Sequence, residues 1–386
     1  MKQIYLMVYD LGGGHRATAN ALAEVIKERQ LPWQIHIVEL FEEIFANTAP
    51  HDVYNNVVLK KKWARIINEP LLVPAFKLEI GLRYRNWRSL LEKYWQTHPP
   101  DLVVSLLPYV NKILQDSLQN TFPETPFVTS LTDLADCPPR FWIEPQCPHV
   151  ICPTERAVSQ AQKLGCTSKQ IIPISGLPID PRFYQEFNGD RREEKQKLGL
   201  NPDLPTGLIM FGGYGSTVML DIAESLEQSQ LDLQLIFLCG RNQELATALA
   251  QKQKRLPCLI KTFTTEVPYY MDLADFFIGK PGPGSISEAI AMQLPVITEA
   301  NAYTLFQEKY NARWVVDNEV GIVVRDFREV DKAVAQLLEG DRLARYRAKT
   351  ASFNNQGIFE VVDILQKIVA RTDLDKAQTA PTKELI

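Results

Sequence analysis

The stretch Ile278–Met292 constrains the fold most, because it combines the end of an apolar strand, a glycine-rich loop and a helix start. Gly282 and Gly284 carry no Cβ, so a ligand can approach the backbone there. We expect Ser285 at the N-cap, with Glu288 three residues later completing a capping box. The free N–H groups and positive dipole of such a helix end suit phosphate. A capped turn in which Glu288 serves only the cap is the alternative.

Two more glycine turns follow predicted strands. Gly12-Gly13-Gly14 comes after the strand Ile4–Tyr9, and Gly212–Ser216 comes after Gly207–Phe211. Strand, turn and helix alternate through both halves of the chain, which predicts two doubly wound, Rossmann-like α/β domains. We place them at residues 1–183 and 184–370, with a polar, disordered tail at 371–386. A ligand is expected between the halves, at the C-terminal ends of the strands.

Composition narrows the class of protein. The 386 residues carry a net charge of −4, which argues against general nucleic-acid binding. No apolar run approaches the ~20 residues of a membrane-spanning helix, and the N-terminus is typical of a first strand rather than a signal peptide. The six cysteines are too few for a disulfide scaffold in a chain of this length. We therefore expect a cytoplasmic protein.

Four possible metal ligands, Cys137, Cys147, His149 and Cys152, lie close together in the sequence. Zinc has to be considered, but no Cys-x-x-Cys pair is present and prolines interrupt the stretch. We expect reduced cysteines packed in or near a core, and no metal site.

Residues 51–98 are rich in basic and aromatic side chains. The basic residues are Lys60, Lys61, Lys62, Arg65, Lys77, Arg83, Arg85, Arg88 and Lys93, and the aromatic ones are Tyr54, Trp63, Phe76, Tyr84, Trp87, Tyr94 and Trp95. This mixture predicts contact with an anionic membrane surface. The alternative is a solvated helical region whose aromatic residues fill its own core. No clean amphipathic helix is expected through Pro70 and Pro74.

Several motifs, in order, resemble one known family. Residues 12–19, Gly-Gly-Gly-His-Arg-Ala-Thr-Ala, resemble the Gly-Gly-Gly-His-Arg-Ala-Ser-Ala motif of monogalactosyldiacylglycerol synthases. The further matches are Thr132-Asp133-Leu134, Cys152-Pro153-Thr154-Glu155, Gly176-Leu177-Pro178-Ile179, Cys239-Gly240-Arg241-Asn242 and residues 282–289. These synthases belong to glycosyltransferase family 28 and have the GT-B fold, two Rossmann-like domains that face a central cleft.

The resemblance implies an inverting transfer of a hexose from a UDP-sugar to a lipid acceptor, without a cofactor. It implies an N-terminal half that binds the acceptor, through Gly12, Gly13, Gly14 and the essential histidine, here His15, and a C-terminal half that binds the donor. The implied donor residues are the diphosphate-binding loops Gly213-Tyr214-Gly215-Ser216 and Gly282-Pro283-Gly284-Ser285-Ile286, the ribose-binding Glu288, the uracil loop Phe263-Thr264 and the sugar-reading pair Gln307-Glu308.

The chemistry of these residues agrees with the implied reaction. Amides and helix N-termini can stabilise the departing diphosphate without a metal ion. His15 is a plausible general base, and Asp133 can orient or assist it. Each role has a plainer alternative: His15 merely packs at a helix start, Gln307-Glu308 is an ordinary helix start, and Arg241, expected near the diphosphate, forms a surface ion pair instead.

The chain departs from the family pattern at Cys137-Pro138-Pro139, where plant-type synthases have Cys-His-Pro, and just before Gln307, where it is longer. The acceptor and the sugar therefore stay open. We expect a diacylglycerol glycosyltransferase, peripheral on the inner face of a membrane. The alternatives are a family 28 transferase for another hydrophobic acceptor, a silent nucleotide-sugar binding protein and, more remotely, a UDP-sugar epimerase.

Overall fold

The computed structural model describes residues 1–9, 13–45, 73–185, 187, 189–252 and 255–379. The chain divides into two compact units. The first unit comprises Met1–Asp180 together with the chain from Gln356 onward, and the second comprises Pro181–Asn355. Each unit is an α/β domain, so the fold class is confirmed, and the first boundary lies close to the predicted one.

Both sheets are parallel throughout their described strands. The first unit contains β1 (Lys2–Val8), β2 (Trp33–Glu39), β3 (Leu102–Ser105), β4 (Phe127–Ser130), β5 (His149–Cys152) and β6 (Ile171–Pro173). The second contains β7 (Thr206–Met210), β8 (Gln234–Leu238), β9 (Cys258–Lys261), β10 (Phe276–Ile278), β11 (Val296–Glu299) and β12 (Gly321–Val324). The strand orders are β2-β1-β3-β4-β5-β6 and β12-β11-β10-β7-β8-β9.

Helices lie in all the crossover connections that parallel pairing requires, except the one from β4 to β5. They are α1 (Gly14–Glu28), α2 (Val73–Thr97), α3 (Asn111–Thr121), α4 (Glu155–Lys163), α5 (Arg191–Lys197), α6 (Val218–Gln228), α7 (Gln243–Lys252), α8 (Val267–Asp272), α9 (Pro283–Ala291), α10 (Phe306–Asp317), α11 (Val330–Leu338), α12 (Arg342–Ala351) and α13 (Gly357–Thr379). Shorter helical turns occupy Leu40–Ile44, Pro181–Tyr184 and Phe327–Glu329.

Each sheet has a point at which the order of its strands reverses. In the first unit β1 pairs with both β2 and β3, and in the second β7 pairs with both β8 and β10. Loops that leave two such neighbouring strands part in opposite directions and open a crevice, where doubly wound sheets bind their ligands. The glycine turn after β1 and the glycine loops after β7 and β10 all lie at these reversal points.

Helix α2 corrects the expectation of a broken helix. It runs unbroken from Val73 to Thr97, with Pro74 in the first turn, where a missing N–H costs no helical hydrogen bond. Its two tryptophans pack inward: Trp87 is 1% exposed and Trp95 0%, and Trp95 Nε1 donates to Ser117 Oγ at 3.0 Å. For the described part of 51–98, these aromatics therefore fill a core. Residues 51–72, with their basic and aromatic side chains, lie outside the described residues.

Helix α13 corrects the expected end of the second domain. The sequence places residues up to 370 in the second half, whereas α13 belongs to the first unit. Its apolar residues Ile358, Val361, Val362 and Leu365 are fully buried, and Arg29 Nη1 meets Asp363 Oδ1 at 2.5 Å. Burial of this apolar stripe is the main cause, because an exposed ion pair contributes little. The helix continues to Thr379, so the tail is not disordered from 371; residues 380–386 are outside the described part.

The charged stretch that opens the second unit forms α5, as predicted, but it is not fully exposed. Lys195 is only 3% exposed, and its Nζ lies 3.5 Å from Asp275 Oδ2. Asp275 Oδ1 also accepts from Arg191 at 2.9 Å and from Arg347 at 3.3 Å, and Oδ2 accepts the Thr206 N–H at 2.8 Å. This carboxylate ties α5 and α12 to the starts of β7 and β10, at the edge opposite the glycine loops.

Candidate functional site

The loop after β7 is shaped by close backbone contacts. Gly212 and Gly215 have φ values of 77° and 60°, and the Gly215 N–H donates to the Gly212 carbonyl at 3.1 Å. A Cβ on Gly240 would lie 2.3 Å from the Gly213 carbonyl oxygen, which also accepts the Arg241 N–H at 2.8 Å. The loops after β7 and β8 therefore fit together only because both carry glycine.

Three predicted donor residues meet at this edge. The guanidinium of Arg241 lies 4.9 Å from the ring centre of Phe263 and 6.0 Å from that of Tyr214. Tyr214 is 55% and Phe263 54% exposed, so aromatic rings and a cation stand open to solvent together. The predicted alternative for Arg241, a surface ion pair, is not what these contacts show. Next to Phe263, Thr264 Oγ1 accepts the Glu266 N–H at 3.0 Å and turns the chain into α8.

The loop after β10 differs from the expected capping box. Helix α9 begins three residues earlier than expected, with Gly282 at the N-cap and Pro283 at the first helical position. Ser285 is therefore inside the first turn, where its Oγ donates to the Gly282 carbonyl at 3.3 Å. Proline takes this position readily, since its φ suits a helix and its missing N–H needs no partner. The predicted capping box of Ser285 and Glu288 is therefore wrong.

The corrected start of α9 changes which amides can face a ligand. The Ile286 N–H donates to the Gly282 carbonyl at 3.1 Å, so it is already used inside the turn. Gly284 and Ser285 precede Ile286, the first residue whose N–H is hydrogen-bonded within the helix, and their own N–H groups point out of the helix end. Glu288 follows Gly284 by four residues, on the same face of the helix, and is half-buried.

Gln307 and Glu308 lie in the first turn of α10, and Glu308 forms an ion pair. Glu308 is 9% exposed, and its Oε1 lies 3.2 Å from Lys280 Nζ, on the loop after β10. Asn311, one turn further along α10, donates to the Pro281 carbonyl at 2.9 Å. Lys280 and Asn311 thus join α10 to the loop after β10. Sequence reasoning missed both, although Lys280 lies only two residues before Gly282.

In the first unit, His15 lies in the first turn of α1, after Gly13, whose φ is 84°. Gly14 starts the helix, while Gly12 lies outside the described residues. His15 Nδ1 is 2.9 Å from Thr132 Oγ1, and the rings of Tyr9 and Trp142 stand 6.1 and 5.8 Å from the imidazole. Desolvation lowers the pKa of His15 to about 4, against a smaller opposing effect of the Leu106 carbonyl. The ring is neutral at neutral pH.

Asp133 is linked to His15 through an indole. Trp142 Nε1 donates to Asp133 Oδ2 at 2.9 Å, and the Trp142 ring packs beside the imidazole. Thr132, which contacts His15 directly, immediately precedes Asp133. The sequence placed Thr132 in a family motif but assigned it no role, and it missed Trp142, which sits in the loop after the Cys137-Pro138-Pro139 departure.

The cysteines of the first unit are structural. Cys147 and Cys152 are fully buried free thiols, and desolvation raises the pKa of each to about 12. Such thiols stay protonated at neutral pH and are poor metal ligands. Among the side chains that the structure describes, no group of three or more His, Cys, Asp or Glu is arranged to hold a metal ion.

Comparison with known proteins gives the family of the chain. The monogalactosyldiacylglycerol synthase model matches residues 15–179, and the glycosyltransferase family 28 C-terminal domain model matches residues 212–368. The probable monogalactosyldiacylglycerol synthase 2 of Oryza sativa subsp. japonica is 27% identical, over 95% of this chain and 81% of that protein. Monogalactosyldiacylglycerol synthase 3 of Arabidopsis thaliana is 29% identical, over 89% and 75%. The chain is a monogalactosyldiacylglycerol synthase-like member of glycosyltransferase family 28.

Solved structures agree with this assignment at the level of the fold. Acinetobacter baumannii MurG superimposes with a TM-score of 0.63 at 14% identity, over 95% of this chain and 100% of MurG. This likeness shows the GT-B fold. The family models and the plant relatives show that the protein is an enzyme, a UDP-sugar-dependent glycosyltransferase. Both plant relatives are named chloroplastic. Within the described residues, no helix combines the length and the apolar character needed to span a bilayer.

Proposed function

We propose that the protein transfers a hexose, most simply galactose, from its UDP-sugar to diacylglycerol, with inversion and without a metal ion. The sugar and the acceptor follow from the names of its relatives, which are monogalactosyldiacylglycerol synthases. The second unit holds the donor and the first unit supplies the base that receives the acceptor's proton.

The observation that carries the donor assignment is the pairing of β7 with β10. These neighbours run in register, Phe276 beside Gly207 and Ile278 beside Ile209, so the loops that follow them start side by side. One loop supplies Gly213, Tyr214 and Ser216, since the Gly215 N–H is already bonded to the Gly212 carbonyl, and the other supplies the Gly284 and Ser285 amides with the N-terminal dipole of α9. Amides aimed at one spot stabilise the negative charge that gathers on a departing diphosphate.

The remaining donor residues then take distinct roles. Arg241, held against Phe263, adds a full positive charge near the diphosphate, while the exposed face of Phe263 supports the uracil ring. Glu288 binds the ribose hydroxyls from the same helix face as Gly284. Gln307 and Glu308 read the sugar hydroxyls, with Lys280 holding the Glu308 carboxylate in place.

The reaction is a single displacement. The acceptor hydroxyl oxygen attacks the anomeric carbon, the bond from that carbon to UDP breaks, and the hydroxyl proton passes to a neutral His15 imidazole. A neutral ring is required, and the lowered pKa of His15 supplies it at neutral pH. The electron pair of the broken bond leaves with the diphosphate oxygen, and the backbone N–H groups stabilise the negative charge that results.

The test is a transfer assay with purified protein, diacylglycerol vesicles and radiolabelled UDP-galactose, UDP-glucose or UDP-N-acetylglucosamine. We expect labelled monoglycosyldiacylglycerol of inverted anomeric configuration, and UDP in equal amount, unchanged by EDTA. His15→Ala should abolish the transfer and keep UDP binding in calorimetry.

Three outcomes would contradict the proposal. Release of UDP only with another lipid would show that diacylglycerol is not the acceptor. A UDP-sugar product without free UDP would indicate an epimerase. UDP binding with no turnover for any acceptor would indicate a silent binding protein.

We also propose that the enzyme sits on the surface of an anionic membrane, through α2. Leu78 and Leu82 are 64% and 78% exposed and lie one helical turn apart. Arg85 and Lys93 lie on the same exposed face. Exposed leucines flanked by cations suit the boundary between headgroups and acyl chains.

Sedimentation with phosphatidylglycerol vesicles tests this surface. Leu78→Ser/Leu82→Ser and Arg85→Glu/Lys93→Glu should each lower the bound fraction several-fold relative to wild type. The control is Leu374→Ser, which removes a leucine of similar exposure, 63%, from α13. Equal loss in the control, or no loss in either double variant, would remove α2 as the membrane surface.

A further inference from the structure

The loop that follows β4 is folded around one buried carboxylate. Asp136 is 0% exposed, and its Oδ1 accepts the N–H groups of Phe141 at 2.8 Å and Trp142 at 2.6 Å. Its Oδ2 accepts the Arg140 N–H at 2.8 Å. A carboxylate that gathers three successive amides fixes the backbone between them, much as a nest fixes an anion.

The backbone of Asp136 is itself held. Its N–H donates to Gln160 Oε1 at 3.0 Å, and its carbonyl accepts from Gln160 Nε2 at 2.8 Å, so both groups are bound to one side chain on α4. At the far end of the loop, the Trp142 carbonyl accepts from Asn111 Nδ2 at 2.7 Å. Trp142 therefore has both its N–H and its carbonyl fixed, one by Asp136 and the other by α3.

The side chain of Trp142 carries this constraint to the proposed base. It is fully buried, its Nε1 donates to Asp133 Oδ2 at 2.9 Å, and its ring lies 5.8 Å from the His15 imidazole. Tyr9 bounds the imidazole from another side, and Thr132 bonds Nδ1. The direction in which His15 presents its ring therefore depends on where Trp142 stands.

From this geometry we infer that Asp136 is a positioning residue for sugar transfer, which acts through Trp142 on His15 and Asp133. This inference rests on the proposed function. Asp136 does not touch the reacting atoms; its carboxylate holds residues 140–142 so that the indole closes one side of the imidazole and fixes the Asp133 carboxylate.

The kinetic test is a double-mutant cycle of Asp136→Asn and Trp142→Ala. Asp136→Asn replaces one accepting carboxylate oxygen with an amide donor, so part of the hydrogen bonding that fixes residues 140–142 is lost. We expect Asp136→Asn to lower kcat at least about tenfold with an unchanged KM for UDP-sugar, whose proposed site lies in the other unit. In the Trp142→Ala background the same substitution should change kcat less than about twofold, because the residue through which Asp136 acts is gone.

The matched control is Asp101→Asn. Asp101 Oδ2 likewise accepts a backbone N–H, that of Gln3 at 2.8 Å, in the same unit but at the opposite edge of the sheet. It should leave kcat unchanged at temperatures well below unfolding. Additive effects in the cycle, or an equal kcat loss in Asp101→Asn, would overturn the inference.

A readout without turnover separates this inference from the proposed function. In protein with ¹³C-labelled histidine, the His15 ring resonance, assigned by its loss in His15→Gln, should carry a ring-current shift from Trp142. Asp136→Asn and Trp142→Phe should both move it, and Asp101→Asn should not. A wild type that transfers no sugar but shows these shifts would refute the proposed function alone. A resonance unmoved by Asp136→Asn in folded protein would refute the positioning role alone.

Discussion

His15 Nδ1 and Thr132 Oγ1 lie 2.9 Å apart, although 117 positions separate the two residues in the chain. The contact joins the glycine turn after β1 to the end of β4, and it fixes the orientation of an imidazole that would otherwise rotate about its side-chain bonds. When Nδ1 carries the ring proton and donates it to this hydroxyl, the lone pair that can accept a proton lies on the other ring nitrogen.

Removing this hydroxyl should slow transfer without weakening donor binding. We expect Thr132→Val to lower kcat roughly two- to tenfold, the value of a neutral hydrogen bond of about 1 kcal/mol. Thr132→Ser keeps the hydroxyl and should stay near wild type. Steady-state kinetics at saturating UDP-sugar provide the measurement, and a Thr132→Val enzyme as fast as wild type would show that the contact does not orient a base.

The pH dependence of kcat/KM should reflect the low pKa of His15. Desolvation lowers that pKa to about 4, so the ring loses its proton-accepting form only as the pH falls through about 4. The acidic limb of kcat/KM should therefore lie well below the ordinary histidine value of about 6.5. Trp142→Ala admits water to the ring and should move the limb upward. A limb near 6.5 in the wild type would contradict this account.

Lys280 should matter to the donor through Glu308. Lys280→Met leaves the Glu308 carboxylate, 9% exposed, without the ammonium that stands 3.2 Å away. A buried charge deprived of its partner costs about 1–3 kcal/mol or more, so kcat/KM for UDP-sugar should fall roughly ten- to a hundredfold. The control Lys332→Met breaks an exposed pair with Glu329 and should have little effect. Equal kinetics in the two variants would disprove the role.

Substitutions of Arg241 and of Phe263 should distinguish the binding of the diphosphate from the binding of the uridine. Arg241→Gln removes the charge assigned to the diphosphate, so it should weaken UDP binding and leave uridine binding nearly unchanged. Phe263→Ala should weaken both ligands, by about 0.5–2 kcal/mol if a ring-face contact of the cation–π or stacking type is lost. Calorimetry with UDP and uridine measures the difference. Arg313→Gln, an exposed arginine on α10, is the control, and identical losses for both ligands in Arg241→Gln would reject its assignment.

Asp275 should contribute stability rather than activity. Asp275→Asn leaves Arg191, Lys195 and Arg347 without their shared carboxylate and should cost about 3–5 kcal/mol of unfolding free energy. Although burial alone would raise its pKa, Arg191 and Lys195 lower the pKa of Asp275 below the ordinary value. Its stabilisation should therefore be present above pH ~3.8 and fade as the pH drops through the lowered value. Denaturant unfolding at several pH values measures this; a variant as stable as wild type would contradict it.

Much of the fold could be read from local patterns. Short apolar runs followed by glycine turns predicted the strands whose ends carry His15, the Gly212–Ser216 loop and the Gly282–Ile286 loop, because turn chemistry and strand burial act over a few residues. Helix boundaries were less accurate. Pro74 and Pro283 each lie in a first helical turn, where proline is favourable. Reading Pro74 as a breaker removed the expectation of a continuous α2, and overlooking Pro283 placed the start of α9 too late.

The partners of the site residues could not be predicted, because each contact depends on distant segments. Trp142 beside His15 and Lys280 on Glu308 each bring together segments that are far apart in the chain. The return of α13 to the first unit likewise depends on an apolar stripe that has to be buried, and the stripe itself does not name the surface that covers it.

The sequence alone determined the alternating α/β pattern, the family motifs and the residue types offered to a UDP-sugar, since these are local properties of the chain. The tertiary structure alone decided that β7 lies beside β10, that Thr132 and Trp142 lie beside His15, and that the pKa of His15 is lowered. The reason is physical: strand order and desolvation are set by packing and hydrogen bonds between residues far apart in the chain, and no local pattern encodes them.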